Sequence, residues 1–578
     1  MQVARFVGIP GAGKTYRSIG IMEKCCAMGF NVQQIGFFTF TRAARREAAG
    51  RAAKAFGCPI RQLESTGWFR TIHSATMRLL GVKKGELVNG NREWFKKNFS
   101  ENVESDSSEG WADQWKGFTP VAQALKLWDV ARNRLCEVSD VYRQVRRLAG
   151  HSAGRMKTIG LGHAERIIEE YEAAKQRDGM LDFCDIILRY AGIRMTPSSV
   201  QEWQPEGADL LLQAVFLDEA QDSSAALDRA FSRLAQHAKY VYLMGDPNQE
   251  IYSWAGADGS KFMGWPVPPQ YDEFMTKSWR CAKEILDMGT RLIVANDQKH
   301  DLENIKLEPR CEGGSVTRED MRSQWHAAID PRKPTLVLSR TNQGAYHLGK
   351  ILSENEIPWR SNRGGSRWPA ESASKYLESM LNLQQGKAVH WNDWRRIVLE
   401  LPAEMLERGT KKRLKEEKYE KDSDGPEEDA ADSGETADAF ADPDAAPLPS
   451  KRPPVALGDL QSLGATPELV QEIASGRWLI TQLDEAQRQI IDVLDKWGDV
   501  ARNPRVIVST IHGTKGAEAE DVFLDTAISY PVQKAILYWD GREQERRVWY
   551  TGITRAKQNL TLLHDPRAKH FQEVYQAQ

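Results

Sequence analysis

An α/β fold of parallel sheets flanked by helices, in two units with a mainly helical insertion in the first, is predicted by three observations. Short, mostly apolar runs recur, and each leads into a loop: Val3 to Val7, Ala214 to Leu217, Tyr240 to Met244, Thr335 to Leu338 and Val506 to Val508. Helical periodicity alternates with these runs near both ends of the chain, the pattern of a parallel sheet covered on two faces. One long stretch interrupts the alternation: Gly81 to about Met180 is charged and helically periodic, with Trp94, Trp111, Trp115 and Trp128.

The first element is the most informative. Val3 to Val7 reads as a strand, and Gly8-Ile9-Pro10-Gly11-Ala12-Gly13-Lys14-Thr15 follows at once. This run fits G-x-x-x-x-G-K-[ST], a loop whose backbone amides close around phosphate oxygens at a helix N-terminus. In that reading Lys14 reaches the outer phosphates, the Thr15 hydroxyl ligates Mg²⁺, and Tyr16 to Met28 continues as a helix. Val215-Phe216-Leu217-Asp218-Glu219 places two adjacent carboxylates at a strand end. Asp218 suits Mg²⁺, a hard cation that prefers oxygen, and Glu219 suits proton acceptance from an attacking water. After Tyr240 to Met244 comes Gly245-Asp246-Pro247-Asn248-Gln249, where the Gln249 amide stands at a loop edge fit to sense a phosphate. Tyr252 and Trp254 lie just beyond. Either ring can stack on a nucleobase; taken singly, Trp254 reads first as a core or interface tryptophan, one of 18 in the chain.

A length of 578 residues requires several domains. Hydrophobic content of 41% and charged content of 27% are ordinary for a globular protein, and no apolar run is long enough to span a bilayer. The seven cysteines include no C-x-x-C pair, which argues against a zinc site or disulfide framework and for a reducing, cytoplasmic setting. The net charge of −2 hides an asymmetry. Glu416 to Asp444 holds 13 acidic residues and two lysines, a local −11, so the remainder carries +9. A mildly basic body is compatible with a polyanionic partner. The stretch from Glu416 to Pro454 has few apolar anchors and is expected to be a disordered linker.

Further motifs complete a series. Phe38-Thr39-Phe40-Thr41-Arg42, Thr71-Ile72-His73-Ser74 and Leu181-Asp182-Phe183-Cys184-Asp185 follow the phosphate loop. Ser278-Trp279-Arg280-Cys281, Thr510-Ile511-His512-Gly513-Thr514-Lys515-Gly516-Ala517-Glu518 and Tyr550-Thr551-Gly552-Ile553-Thr554-Arg555 come later. The set resembles, in order and over nearly the whole chain, the UvrD/Rep group of superfamily 1 DNA helicases.

That resemblance implies two RecA-like P-loop NTPase domains with ATP and Mg²⁺ in the cleft between them. It divides the chain into residues 1–80 and 181–275 (first domain), 81–180 (helical insertion), 276–380 and 504–578 (second domain), and 381–503. The last is a reduced second insertion that contains the acidic linker, about 416–454. Gly8, Gly11, Ala12, Gly13, Lys14, Thr15, Tyr16, Gly516 and Glu518 would contact nucleotide, with Thr15 and Asp218 on the metal. Lys14, Glu219, Gln249, Arg280 and Arg555 would carry the chemistry, the two arginines reaching the γ-phosphate from the second domain. Phe40, Thr41, Arg42, His73, Tyr252, Trp254, Thr510 and His512 would contact DNA, although His73 and His512 read equally as structural histidines.

The implied activity is ATP-driven, 3′-to-5′ movement on single-stranded DNA with strand separation at junctions, by a monomer or weak oligomer with no membrane attachment. The alternative is a DNA-stimulated ATPase that acts as a switch, loader or protein-displacing translocase. Departures from the family pattern are visible. Only seven residues precede Gly8, so the Gln-containing, adenine-reading segment has no counterpart and adenine specificity is open. Tyr16 stands where the family has arginine, and Ala517 where it has leucine. Too few residues follow the last motif for an appended nuclease domain. Pathway and protein partners are not encoded in any of these motifs.

Overall fold

The computed structural model describes residues 1–40, 42–99, 119–149, 159–294, 296, 305–362, 366–416, 453–478 and 484–576. Trp111, Trp115, Thr41 and nearly all of the expected acidic linker lie outside them.

The first sheet begins with β1 (Gln2–Gly8), β2 (Ile35–Thr39) and β3 (Trp68–Thr71). A hairpin of β4 (Ile193–Thr196) and β5 (Ser199–Glu202) stands apart from it. The chain then adds β6 (Ala214–Leu217), β7 (Tyr240–Gly245) and β8 (Asp272–Met275). Six strands pair in parallel in the order β3-β2-β6-β7-β1-β8. Helices cover both faces, which is why β2 and β6 read as unbroken apolar runs with Phe37, Phe38 and Phe216 fully buried. The order matters for the site: β1, β7 and β6 are neighbours, so Gly8, Asp246 and Asp218 leave the same sheet edge.

The second sheet contains β9 (Ser315–Asp320), β10 (Thr335–Ser339), β11 (Trp359–Ser361), β12 (Arg367–Trp368), β13 (Val506–Thr510), β14 (Ala519–Asp525) and β15 (Ala556–His564). Its order is β12-β11-β13-β10-β14-β15-β9, parallel except for the β11–β12 pair. The predicted α/β class, parallel sheets with flanking helices, is what is observed.

Between β3 and β4 the chain is helical, with a core that includes Trp94, Trp128, Ile168 and Tyr171. The indole N–H groups of Trp94 and Trp128 donate to Asp178 and Glu172 at 2.8 and 2.7 Å, so neither large ring buries an unpaired donor. One polar knot ties this segment to the first sheet unit. Asp182 caps the helix Phe183–Ala191 and accepts from Arg132 at 2.8 Å, Lys175 at 2.8 Å and Tyr171 at 2.9 Å. Two cations thus balance the acidic group formed by Glu172, Asp182 and Asp185.

Removing one partner of such a buried set leaves charge uncompensated. Arg132→Met is therefore expected to destabilise the chain by about 3–5 kcal/mol, read by denaturant unfolding. A loss below about 1 kcal/mol would mean that Lys175 alone suffices.

Between β12 and β13 a second helical body forms around Trp394, Trp478, Leu377, Ile473 and Val493, all fully buried. Four of its helices are Glu371–Gln384, Trp391–Glu400, Pro467–Ser475 and Glu485–Trp497. Among the described residues no helix is long and apolar enough to cross a membrane.

Candidate active site

β1 ends at Gly8 and the helix Lys14–Ala27 begins six residues later. Gly11 and Gly13 hold φ of +73° and +82°, where an L side chain is strained. At Gly11 there is also no room: an added Cβ would stand 2.3 Å from the Arg280 Cβ. The second half of the chain thus closes directly on the loop, with Ser278 Oγ donating to the Pro10 carbonyl at 2.7 Å and the Trp279 amide to the Gly11 carbonyl at 2.8 Å. Lys14 Nζ folds back to the Gly8 carbonyl at 2.8 Å, and the Thr15 hydroxyl donates to Asp218 Oδ2 at 3.0 Å. Thr15 and Asp218 therefore already present two hard oxygens to one point, the donor set that Mg²⁺ takes.

Asp218 leaves β6 buried, and burial together with the neighbouring Glu219 charge pushes its carboxyl up. Glu219 turns the chain at φ +54°, a left-handed conformation uncommon for any residue but glycine. Burial works against its charge as well, but Lys515 and Lys14 outweigh that and hold the carboxyl below its ordinary range. The Gln221 amide donates to Glu219 at 2.5 Å.

The Gln249 side chain is fixed at both ends: its amide donates to Asp246 at 2.8 Å, and its carbonyl accepts from Arg555 Nη2 at 3.0 Å. Arg555 is only 1% exposed, and burial plus the nearby Arg280 charge push its guanidinium down to about 10. Arg280 pairs with Glu518 and donates to the Thr554 carbonyl at 3.3 Å. Glu518 also takes Lys557 at 2.9 Å, and these two cations overcome burial to hold its carboxyl at about 2. Gly516, at φ +93°, completes the turn between Lys515 and Glu518. Phosphate loop, Glu219, Gln249, Arg280 and Arg555 thus converge on one cleft from two sheets.

Two features were not legible in the motifs. Lys515 stands in its motif as one residue of a run, yet its ammonium crosses the cleft to Asp222 and the Gln249 backbone carbonyl at 2.5 and 3.0 Å. Trp279 is 64% exposed beside Gly13, with the Lys277 ammonium 4.1 Å from its ring centroid. Tyr16 is exposed as well, at 78%. Two open aromatic side chains therefore flank the phosphate loop.

The residues assigned to DNA divide into groups. Tyr252 stands between Trp254 and His512, with centroid separations of 6.2 and 6.3 Å, and its hydroxyl donates to the His512 carbonyl at 3.2 Å. His73 meets Phe183 edge-on at 5.7 Å, and burial lowers its imidazole to about 4. His73 and Tyr252 both line a cavity of about 210 Å³, together with Asn133 and Asp222. Phe40 instead packs against the first sheet's core, and the Thr510 hydroxyl accepts from the Gly513 amide at 3.1 Å. Thr41 and the Arg42 side chain fall outside the described residues.

Trp254 is 4% exposed, with the Lys126 ammonium 4.5 Å from its ring centroid. Its loop is clamped by the helical segment. Arg134 donates to the Ser253 carbonyl at 2.7 Å and Ser224 to Asn133 at 3.2 Å, while a Cβ on Gly256 would lie 2.6 Å from that of Asn133.

Residues 6–265 match the model for the UvrD/REP helicase N-terminal domain, and residues 482–565 match that for the UvrD-like helicase C-terminal domain. The chain belongs to the UvrD/Rep-like superfamily 1 helicases. Its two sheets are the RecA-like pair of that family. The first UvrD-type match contains Lys14, Glu219, Gln249 and Trp254, and the second contains His512, Lys515 and Arg555. Arg280 lies between them. The chain is similar to the ATP-dependent DNA helicase PcrA of Staphylococcus aureus, 23% identical over 400 residues, 64% of this chain and 50% of that protein. It is also similar to a probable DNA helicase II homolog of Mycoplasma pneumoniae, 28% identical over 130 residues, 22% of this chain and 17% of that protein. A third relative, PcrA of Staphylococcus epidermidis, is 24% identical over 199 residues, 34% of this chain and 25% of that protein. The matches span at most half the length of these relatives.

Proposed function

We propose that this chain is an ATP-dependent motor that moves 3′-to-5′ on single-stranded DNA and separates strands at junctions. One observation carries the reading: Arg280, Arg555 and Lys515 from one sheet unit meet Lys14, Glu219 and Gln249 from the other. A site that needs residues from both sides works only when the cleft is shut, so hydrolysis and domain movement are coupled by construction.

In this reading residues 1–80 and 181–275 form the nucleotide-holding domain, and residues 276–380 and 504–578 supply the arginines. The backbone amides of Gly11 to Thr15 and the Lys14 ammonium bind the phosphates. Thr15 and Asp218 hold Mg²⁺, which neutralises phosphate charge when bound. Glu219 accepts the proton of the attacking water, and Arg280 and Arg555 stabilise charge spreading over the transferred group. Gly516 and Glu518 border the nucleotide, and Tyr16 and Trp279 offer faces to its base. Phe40, Thr41, Arg42, His73, Tyr252, Trp254, Thr510 and His512 form the strand's track, with Tyr252 and His512 joined to the ATP site through Lys515 and Gln249. The motor is taken as a cytoplasmic monomer or weak oligomer.

The test sets DNA-stimulated ATPase beside strand displacement on duplexes with 3′ or 5′ tails. Stimulation by single-stranded DNA, with displacement from the 3′ tail only, is expected. Stimulation without displacement from either tail would replace unwinding by the switch or protein-displacing alternative. No stimulation would overturn the motor reading.

A further inference from the structure

Lys515 belongs to the loop after β13, on the second sheet, yet its ammonium is seated among groups of the first. It donates to Asp222 Oδ2 at 2.5 Å and to the Gln249 backbone carbonyl at 3.0 Å. It stands 3.8 Å from Glu219 Oε2 and 5.3 Å from the Tyr252 ring centroid. The lysine side chain is 9% exposed and that of Asp222 is 7% exposed. An ammonium stripped of water to this extent is held only by its partners, so their geometry and its own are set together. The contact joins the four groups that must agree for turnover. Glu219 is the base in the proposed reaction, Asp222 follows it on the same turn, the Gln249 side-chain carbonyl accepts from Arg555, and Tyr252 leads into the aromatic group with Trp254 and His512.

A second feature shows why the contact is directional. Lys515 lies one residue before Gly516, whose φ of +93° turns the chain so that Glu518 faces Arg280. One loop thus presents a cation to the carboxylates of the first unit and a carboxylate to an arginine of its own.

We propose that Lys515 is a positioning residue, which aligns the Glu219 carboxylate and the Gln249 loop only when the two sheet units close on each other. The inference rests on the ATPase reading above. It makes a prediction that a cation serving only to bind phosphate does not share. A phosphate-binding cation contributes to ground-state affinity, so its removal raises KM. A residue that aligns the reacting groups lowers kcat when removed.

The test is steady-state ATPase of the full chain with saturating oligo-dT, using wild type, Lys515→Ala, Lys515→Arg, Asp222→Asn and the Lys515→Ala/Asp222→Asn double variant. Lys515→Ala is expected to lower kcat about tenfold or more, with KM for ATP within about twofold. Lys515→Arg should recover part of that loss, because the guanidinium keeps the charge and the donors. Asp222→Asn should also lower kcat, and the double variant should be no slower than Lys515→Ala, since both remove one contact. Should Lys515→Ala fail to fold, the arginine and asparagine variants decide: wild-type kcat in Asp222→Asn overturns the proposal. A raised KM with unchanged kcat in Lys515→Ala overturns it, as do losses that add in the double variant. A wild type without DNA-stimulated ATPase overturns the underlying reading instead, and is distinct from a wild type that hydrolyses ATP with a Lys515→Ala variant that matches it.

Discussion

Glu219→Gln is expected to leave ATP affinity within about twofold of wild type and to lower kcat by about 10²–10⁴-fold, the range that a positioned base contributes. The substitution isolates the chemistry because it changes little else. Glutamine has the same length, can adopt the same left-handed backbone at φ +54°, and still accepts from the Gln221 amide through its own carbonyl. What it loses is the negative charge and the capacity to take a proton. Loss of the charge also leaves Asp222, 2.5 Å from Lys515 in the wild-type structure, as the carboxylate in direct contact with that ammonium. Nucleotide binding by the variant and kcat at saturating single-stranded DNA separate the two effects. A wild-type kcat would remove Glu219 from the role of base.

Arg555→Lys is expected to lower kcat by about 10³-fold or more, within the range known for arginines that reach a transferred phosphoryl group. Charge is conserved in this exchange, so any loss reports geometry. Arg555 uses three nitrogens at once: Nε donates to the Thr551 carbonyl at 2.9 Å, Nη1 to the Ala517 carbonyl at 3.3 Å and Nη2 to Gln249 at 3.0 Å. A lysine ends in one compact ammonium and cannot span that set. It would also leave buried acceptors unpaired, which costs stability, so thermal unfolding should accompany the kinetics. A variant that stays folded, hydrolyses ATP at the wild-type rate and retains its DNA stimulation would assign Arg555 to structure alone.

The parts of this molecule legible in its sequence are those set by short stretches. The phosphate loop needs two glycines with positive φ, a lysine and a threonine within eight positions, and local chemistry alone identifies it. The Asp218–Glu219 pair is similar, since a strand that ends in two carboxylates does so within six residues. The arginines were reached only through their place in a family series, because nothing around Arg280 or Arg555 distinguishes either from a surface cation. Lys515 escaped for the same reason: its partner Asp222 is 293 positions away, and only the pairing of the two sheet units brings them together. Trp254 shows the same limit. Its core or interface reading agrees with its 4% exposure, but no local signal shows that Lys126, on a distant helix, lies across its face. The residues between β12 and β13 were expected to be a reduced insertion, and the described ones pack around Trp394 and Trp478.

The clamp on the Trp254 loop bears on how this chain can be taken apart. Gly256 meets Asn133 without space for a methyl group, Arg134 holds the Ser253 carbonyl, and Lys126 covers the indole. An inserted segment joined to its host only at its two chain crossings could be excised and replaced by a short loop. This one is instead part of the wall behind the Trp254 loop. Its excision would strip cover from Trp254 and remove the Arg134 bond to the Ser253 carbonyl and the Asn133 bond to the Ser224 hydroxyl. Trimming the helical segment is therefore expected to disturb the Trp254 loop as well as remove the helices.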